Sequence, residues 1–273
     1  MRWLAGAIVV LSLLWGQAMA TPAKPLKIMS LKICTDALLM DLVPPSRIAS
    51  VTFMAREPTP RRFWPQGMRL SVNYGSAEEI LAAKPDLILT DPFMPPLTRA
   101  LLARSGAKIV EVPPAENFEA IRAVTRQVAQ AVGEPARGEA LLARMDADLK
   151  VIAAHRPARL IRVAEWGGGG YVPGRGGLFD AMLREIGAEN IEKGPMAYYD
   201  VEALIAARPD VLVYGDTYGN MPTLRNDQNM HPALLKRYVN RRIAYSSLYG
   251  CGLPETAAVA RKLQAALIAA TQP

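Results

Sequence analysis

Two cysteines and two histidines are all the thiol and imidazole groups in a chain of 273 residues. Cys34, His155, His231 and Cys251 are scattered so widely that neither a structural zinc site nor a four-cysteine cluster can be drawn from them. No G-x-S-x-G elbow supplies a nucleophile, and no G-x-G-x-x-G opens a helix. Gly169 and Gly174 have the separation of a phosphate-binding loop. Arg175-Gly176, however, stands where a Lys-Ser/Thr pair would meet phosphate and magnesium. Carboxylates are plentiful, but no pair is singled out by its spacing for acid–base work. The net charge of +7 comes without any dense basic block, which argues against a nucleic-acid partner. These absences leave a chain suited to holding a molecule rather than transforming it: no enzyme, no cofactor and no protein-ligated metal is expected.

What the chain does contain begins with an address. Arg2, an apolar run from Leu4 to Trp15 and the small-residue triplet Ala18-Met19-Ala20 read as a cleavable export signal. The run is short for a membrane span, and no later run reaches the ~20 apolar residues that a span needs. A mature protein starting near Thr21 in the periplasm is expected. In that oxidising setting Cys34 and Cys251 form either one disulfide or two free buried thiols.

The clearest internal feature is a stretch that occurs twice. Residues 76–89 read SAEEILAAKPDLIL and residues 200–213 read DVEALIAARPDVLV, pairing Glu78 with Glu202, Pro85 with Pro209 and Asp86 with Asp210. A capping residue (Ser76, Asp200), about two helical turns, a basic residue, a Pro-Asp stop and an apolar run spell a helix–turn–strand unit. Two similar lobes follow from it. Strand and helix patterns alternate on both sides, so the fold class is α/β: each lobe is a mainly parallel sheet flanked by helices. Between the copies, residues 135–155 carry the longest helical pattern, with Leu141, Met145, Leu149 and Ile152 as its seam. At 1.5 Å per residue it makes a rod of roughly 30 Å. The expected organisation is a signal over 1–20, an N-terminal lobe over 21–133, an interlobe helix over 134–156 and a C-terminal lobe over 157–273. Near the N-terminus, 34–43 reads as a helix capped by Thr35 or Asp36, and 53–75 as a long loop rich in aromatic and basic residues.

Open α/β sheets bind ligands beyond the carboxyl ends of their strands. The loop residues there with suitable chemistry are Arg56, Trp64, Tyr74, Asp91, Phe93, Trp166, Tyr171, Arg175, Tyr214, Tyr218 and Tyr249. Aromatic rings offer flat contact area, and arginines pair with carboxylate or hydroxamate oxygens. The glycine run at 167–177 reads as room for backbone to approach a bulky ligand.

Several segments resemble one family in order along the chain: CTDALL (34–39) with RIASV (47–51), both copies of the repeat, GYVPGRGGLFDAMLREIGAENI (170–191) and CGLPET (251–256). The family is the class III periplasmic substrate-binding proteins of ABC importers for iron–siderophore complexes and vitamin B12. The resemblance implies two α/β lobes joined by one rigid helix, with cargo in the cleft between them. It also implies that Glu78 and Glu202, one at the tip of each lobe, dock a monomeric carrier onto the permease dimer of the inner membrane. Relatives often carry Asn-Thr-Glu where this chain has Cys34-Thr35-Asp36, and cleft residues are poorly shared. Branches with a cysteine here and another before a late Gly-x-Pro also occur, with both segments bordering the cleft. The cargo expected is a metal chelate, a ferric siderophore ahead of a corrinoid because of the loop arginines, with haem as a third possibility through Tyr or His. An exported enzyme on a two-lobe scaffold and a membrane-coupled sensor are the alternatives from other classes.

Overall fold

The computed structural model describes residues 26–215, 230–246 and 250–272. Its first sheet is built from β1 (Ile28–Ser30), β2 (Ile48–Thr52), β3 (Val72–Asn73), β4 (Leu87–Thr90) and β5 (Lys108–Glu111), in the order β3-β2-β1-β4-β5. Every pairing in it is parallel. The crossovers are α1 (Ile33–Leu42), α2 (Pro58–Phe63), α3 (Ala77–Ala83) and α4 (Pro96–Ala103), and α5 (Phe118–Ala131) follows β5. The second sheet contains β6 (Ile161–Glu165), β8 (Ala188–Asn190), β10 (Val211–Gly215) and β11 (Arg242–Tyr245), in the order β11-β10-β6-β8, again all parallel. Its helices are α7 (Leu178–Glu185), α8 (Val201–Ala207), α9 (Pro232–Arg237) and α10 (Thr256–Thr271). A small antiparallel ribbon joins β7 (Tyr171–Pro173) to β9 (Met196–Tyr198). Buried on both faces, the strands read as runs such as LILT and VLVYG rather than as alternating patterns.

The repeat in sequence is a repeat in structure. α3 is capped by Ser76 and α8 by Asp200, whose side chains accept the N–H of Glu79 (3.2 Å) and of Ala203 (2.6 Å). Both helices end on a basic residue in the left-handed region, Lys84 (φ 44°) and Arg208 (φ 50°), the two described non-glycine residues with positive φ. Asp86 and Asp210 then stitch each unit onto the first strand of its sheet. The Asp86 carboxylate accepts the Lys27 N–H at 2.7 Å, and the Asp210 carboxylate accepts the Arg162 N–H at 2.9 Å. In return their own N–H groups donate to Lys27 O and Arg162 O. Left-handed backbone costs a side-chain-bearing residue about 1–2 kcal/mol. Such a cost persists in both places because the aspartate that follows over-determines the turn.

The rod between the lobes is α6 (Pro135–Ala154), 20 residues long, with Gly138, Leu141, Leu142, Met145 and Ile152 buried. It packs between α5 and α10. Gln264 of α10 donates to Ile152 O (3.0 Å) and Ile186 O (3.2 Å), fastening the end of the rod to the second lobe. One buried cluster runs through both sheets and the rod, from Ile28 and Leu39 through Met145 to Val213 and Leu263.

Two expectations are corrected, and three short strands are added. α1 begins at Ile33, with Lys32 as its N-cap, so Thr35 and Asp36 lie inside the helix and are buried. Segment 53–75 is not a loop. Pro58 and Pro65 each open a short helical turn, the first α2 and the second a 3-10 turn at Pro65–Arg69, since a proline's fixed φ and missing N–H suit a first position. The hairpin β7–β9 and the edge strand β8 have no signal of their own in the sequence. Each is three residues long, below what periodicity can resolve.

Candidate functional site

The carboxyl ends of both sheets face a common cavity of about 680 Å³. From the first lobe it receives the residues after β1 (Leu31, Lys32), β2 (Phe53, Met54), β3 (Tyr74, Gly75), β4 (Asp91) and β5 (Val112–Ala115). From the second it receives Glu165 at the end of β6, Tyr171 and Pro173 of β7, Leu178, Phe179 and Met182 of α7, and Tyr245-Ser246 at the end of β11. The volume lies within the roughly 300–1,000 Å³ of small-molecule sites.

The floor is a covalent staple. Cys34 of α1 and Cys251, in the segment leading into α10, form a disulfide with Cα atoms 5.3 Å apart, closing a separation of 217 residues. The rest of CGLPET explains itself here. A Cβ on Gly252 would stand 2.0 Å from Ala115 O, so only glycine lets this segment cross the first lobe's loop. Thr256 Oγ1 accepts the Leu253 N–H at 3.1 Å and holds the turn into α10.

Aromatic pairs border the mouth, one from each lobe. Phe53 and Tyr74 stack with ring centres 5.1 Å apart, and both are exposed. Tyr171 meets Tyr198 edge-on at 5.8 Å. Exposed rings already held in place bind with little ordering cost.

Deeper in, each lobe carries a carboxyl whose burial pushes its pKa up to about 7. Asp36 is one; hydrogen bonds from Ser30 and from the Thr52 hydroxyl and N–H pull its value the other way. Glu165 is the other, opposed by a hydrogen bond with Tyr245. Asp36 is turned inward, accepting the Thr52 N–H at 3.1 Å, and Thr52 is what the cavity sees. Glu165 itself lines the cavity. Asn73 and Ser246, both buried, line it too, and neither Asn73 Oδ1 nor Ser246 Oγ has a hydrogen-bond partner among the described residues.

Of the residues expected at the ligand, Tyr74, Asp91 and Tyr171 line the cavity. Asp91 is paired with Lys32 at 3.0 Å. The two tryptophans belong to the interior instead. Trp64 is 4% exposed and its indole N–H donates to Asp41 at 2.9 Å, while Trp166 is 2% exposed and packs with Val172, Leu204 and Leu212. Hydrophobic burial claims both rings for the core, against the expectation that they face the ligand. Arg56 donates to Leu70 O at 3.2 Å, Arg175 is exposed, and Phe93 is 73% exposed; none of the three lines the cavity. Tyr214 sits in β10 with the Arg242 guanidinium over its ring. Tyr218 and Tyr249 lie outside the described residues, as does the export signal. The glycine run serves the ribbon: a Cβ on Gly170 would meet Tyr199 O at 2.1 Å, and one on Gly174 would meet Gly194 O at 1.9 Å. Sequence reasoning missed Phe53, Asn73, Glu165, Tyr245 and Ser246. The strand-end rule points at Phe53 and Glu165; Asn73 ends a two-residue strand too short for periodicity to show, and β11 stops at Tyr245, earlier than its apolar pattern suggests.

A cavity between two parallel sheets bridged by one helix can hold a small molecule from both sides. The family model described as periplasmic binding protein matches residues 65–230. The chain belongs to the periplasmic binding protein family. Its members are solute-binding proteins that work with ABC transporter permeases. Among solved structures, this binding protein is similar to the periplasmic heme-binding protein RhuT from Roseiflexus sp. RS-1 in apo form. The identity is 25%, the TM-score 0.76, and the match covers 91% of this chain and 100% of that one. The heme-binding protein HutB of Vibrio cholerae matches at 18% identity and TM-score 0.73, over 89% of this chain and 98% of that one. The vitamin B12 binding protein BtuF of Vibrio cholerae matches at 18% and 0.68, over 91% and 99%. These place the fold in class III. No curated protein matches the sequence. Among the described residues no helix is long and apolar enough to cross a membrane.

Proposed function

We propose that this binding protein is the monomeric periplasmic capture component of an ABC importer, taking a bulky metal chelate into the interlobe cavity as a neutral or cationic species with extended apolar surface. The observation that carries the reading is the cavity lining. Apolar and aromatic side chains from both lobes dominate it, and its charged members among the described residues are Lys32, Asp91, Glu116 and Glu165. One cation already paired with Asp91, against three carboxyls, suits a cargo without net negative charge. The arginines that favoured an anionic ferric siderophore lose their weight, because Arg56 and Arg175 do not line the cavity. A neutral siderophore complex or a corrinoid fits the lining better. Haem is the second reading, supported by the likeness to heme-binding RhuT and by Tyr74 and Tyr171, whose phenolates are of the type that ligates haem iron.

Lobes 21–133 and 157–273, with 134–156 between them, are the units we assign to the two sides of the cleft. Glu78 and Glu202 are the permease contacts we assign. Each is exposed in the first turn of its copy of the repeat, which supports a two-fold symmetric partner.

Thermal shift of the mature protein with ferric hydroxamates, ferric catecholates, cobalamins and haemin tests the cargo. A true cargo at a hundredfold excess over Kd stabilises by about 2.7 kcal/mol, and a panel in which nothing shifts the melting curve overturns the reading. Glu78→Ala with Glu202→Ala is expected to leave binding intact and abolish uptake in cells.

A further inference from the structure

Glu165, at the tip of β6, is reached from across the sheet by Tyr245 of β11, the strand β10 lying between them in register (Val213 opposite Glu165, Gly215 opposite Tyr245). Phe179 packs against the Tyr245 ring at 5.8 Å, so the pair sits in apolar surroundings. On the facing lobe, Asn73 Nδ2 donates to Ser30 O, Ser50 Oγ and Val51 O, each at 2.9 Å. Three acceptors around one nitrogen determine which way the amide points, leaving Oδ1 as the atom without a partner. The cavity therefore presents one carboxyl acceptor, Glu165 of the second lobe, while Asn73 Oδ1 and Ser246 Oγ lie beneath its surface.

We propose that Glu165, steadied by Tyr245, is the specificity-determining polar anchor of the cavity, and that it selects cargo carrying N–H or O–H donors, such as carboxamide side chains, over cargo carrying carboxylates. This rests on the carrier reading and names the substrate chemistry of the same site. The reason is one of satisfaction. A buried acceptor without a donor costs about 1–3 kcal/mol, and a cargo carboxylate against Glu165 sets acceptor against acceptor with no proton to share once Glu165 is ionised. A carboxamide supplies the N–H. Burial holds Glu165 near neutrality, so the selection has a pH signature. Above about 7 the ionised carboxyl is the stronger acceptor and repels carboxylates more; below it, the protonated form also donates, and discrimination weakens.

The test is titration of the mature protein, followed by intrinsic fluorescence or calorimetry, with three probes at pH 5.5 and pH 8. The probes are cyanocobalamin (a carboxamide-decorated macrocycle), haemin (a carboxylate-decorated one) and a neutral ferric trihydroxamate. The wild type is expected to bind a donor-bearing probe at least tenfold more tightly than haemin, with the gap wider at pH 8. Glu165→Gln, isosteric and expected to fold, should narrow that gap about tenfold and flatten its pH dependence; Tyr245→Phe should do so more weakly. If the wild type binds a chelate but Glu165→Gln changes neither ratio nor pH profile, the anchor is wrong and the carrier reading stands. If haemin binds most tightly and Glu165→Gln leaves that preference untouched, the anchor is likewise overturned. If none of the three binds at either pH, both the carrier reading and the anchor fall.

Discussion

Asp86 and Asp210 hold the same place in the repeated unit, and each ties its helix–turn–strand to the first strand of its own sheet. Around Asp210 the arrangement is richer. Arg159 adds an ion pair at 3.0 Å, and Arg162 donates both its N–H to Asp210 and its guanidinium to Arg208 O. The same contrast recurs at the cleft between two buried carboxyls near neutrality, one from each lobe. Asp36 is sealed behind Thr52, whereas Glu165 opens onto the cavity. One architectural element was thus kept in both halves, while the residues packed around it were free to diverge. The backbone hydrogen bonds of the unit recur in both lobes, but the two lobes line the cavity with different side chains.

The staple gives the largest test of whether the lobes behave as one body. In the chain-entropy picture, a disulfide closing so long a loop contributes about 5 kcal/mol. Cys34→Ala with Cys251→Ala should lower the denaturant midpoint accordingly and split a single unfolding transition into two. A single transition at unchanged midpoint means the rod alone couples the lobes.

The buried carboxyls come next. A carboxyl with a raised folded-state pKa binds more protons folded than unfolded between the ordinary carboxylate range and about 7. Stability therefore falls as pH rises through that window and levels off above it. For Glu165→Gln the expected outcome is a flatter profile and a gain at pH 8 of at most about 3 kcal/mol. Asp36→Asn should flatten the profile in the same window but lie about 1–3 kcal/mol lower relative to its parent than Glu165→Gln does, because the amide nitrogen cannot accept the Thr52 hydrogen bonds that the carboxylate accepts. Chemical denaturation at pH 5.5 and 8 reads both, and equal shifts in the two variants remove the contrast.

The smallest effect compares the stitching aspartates. Asp86→Ala and Asp210→Ala should each cost about 1–3 kcal/mol, with Asp210 the larger. Burial opposes ionisation of Asp210, yet the Arg162 N–H and the Arg159 guanidinium hold its pKa below the usual range. Its contribution is present above the ordinary aspartate pKa and is lost as pH falls through the lower folded value. Melting curves below pH 4 should bring Asp210→Ala and wild type together.

Much of the fold was legible because it rests on local chemistry. Caps at Ser76 and Asp200, Pro-Asp stops, glycine punctuation and apolar runs mark elements without reference to distant residues. The candidate site was legible only in part. The strand-end rule located it, but nothing along the chain distinguishes a tryptophan that packs inward, such as Trp64 or Trp166, from a tyrosine that faces the cleft, such as Tyr74 or Tyr171.

By itself, the sequence determined the alternation of strand and helix, the doubled unit and the rod between the copies, since these follow from periodicity and from residues a few positions apart. Only the tertiary structure decided that Cys34 meets Cys251, that Asp36 turns inward while Glu165 faces the cavity, and that the arginines stay off it. Those outcomes depend on which surfaces the packing of two sheets leaves exposed, and long-range burial is not written in any short stretch of chain.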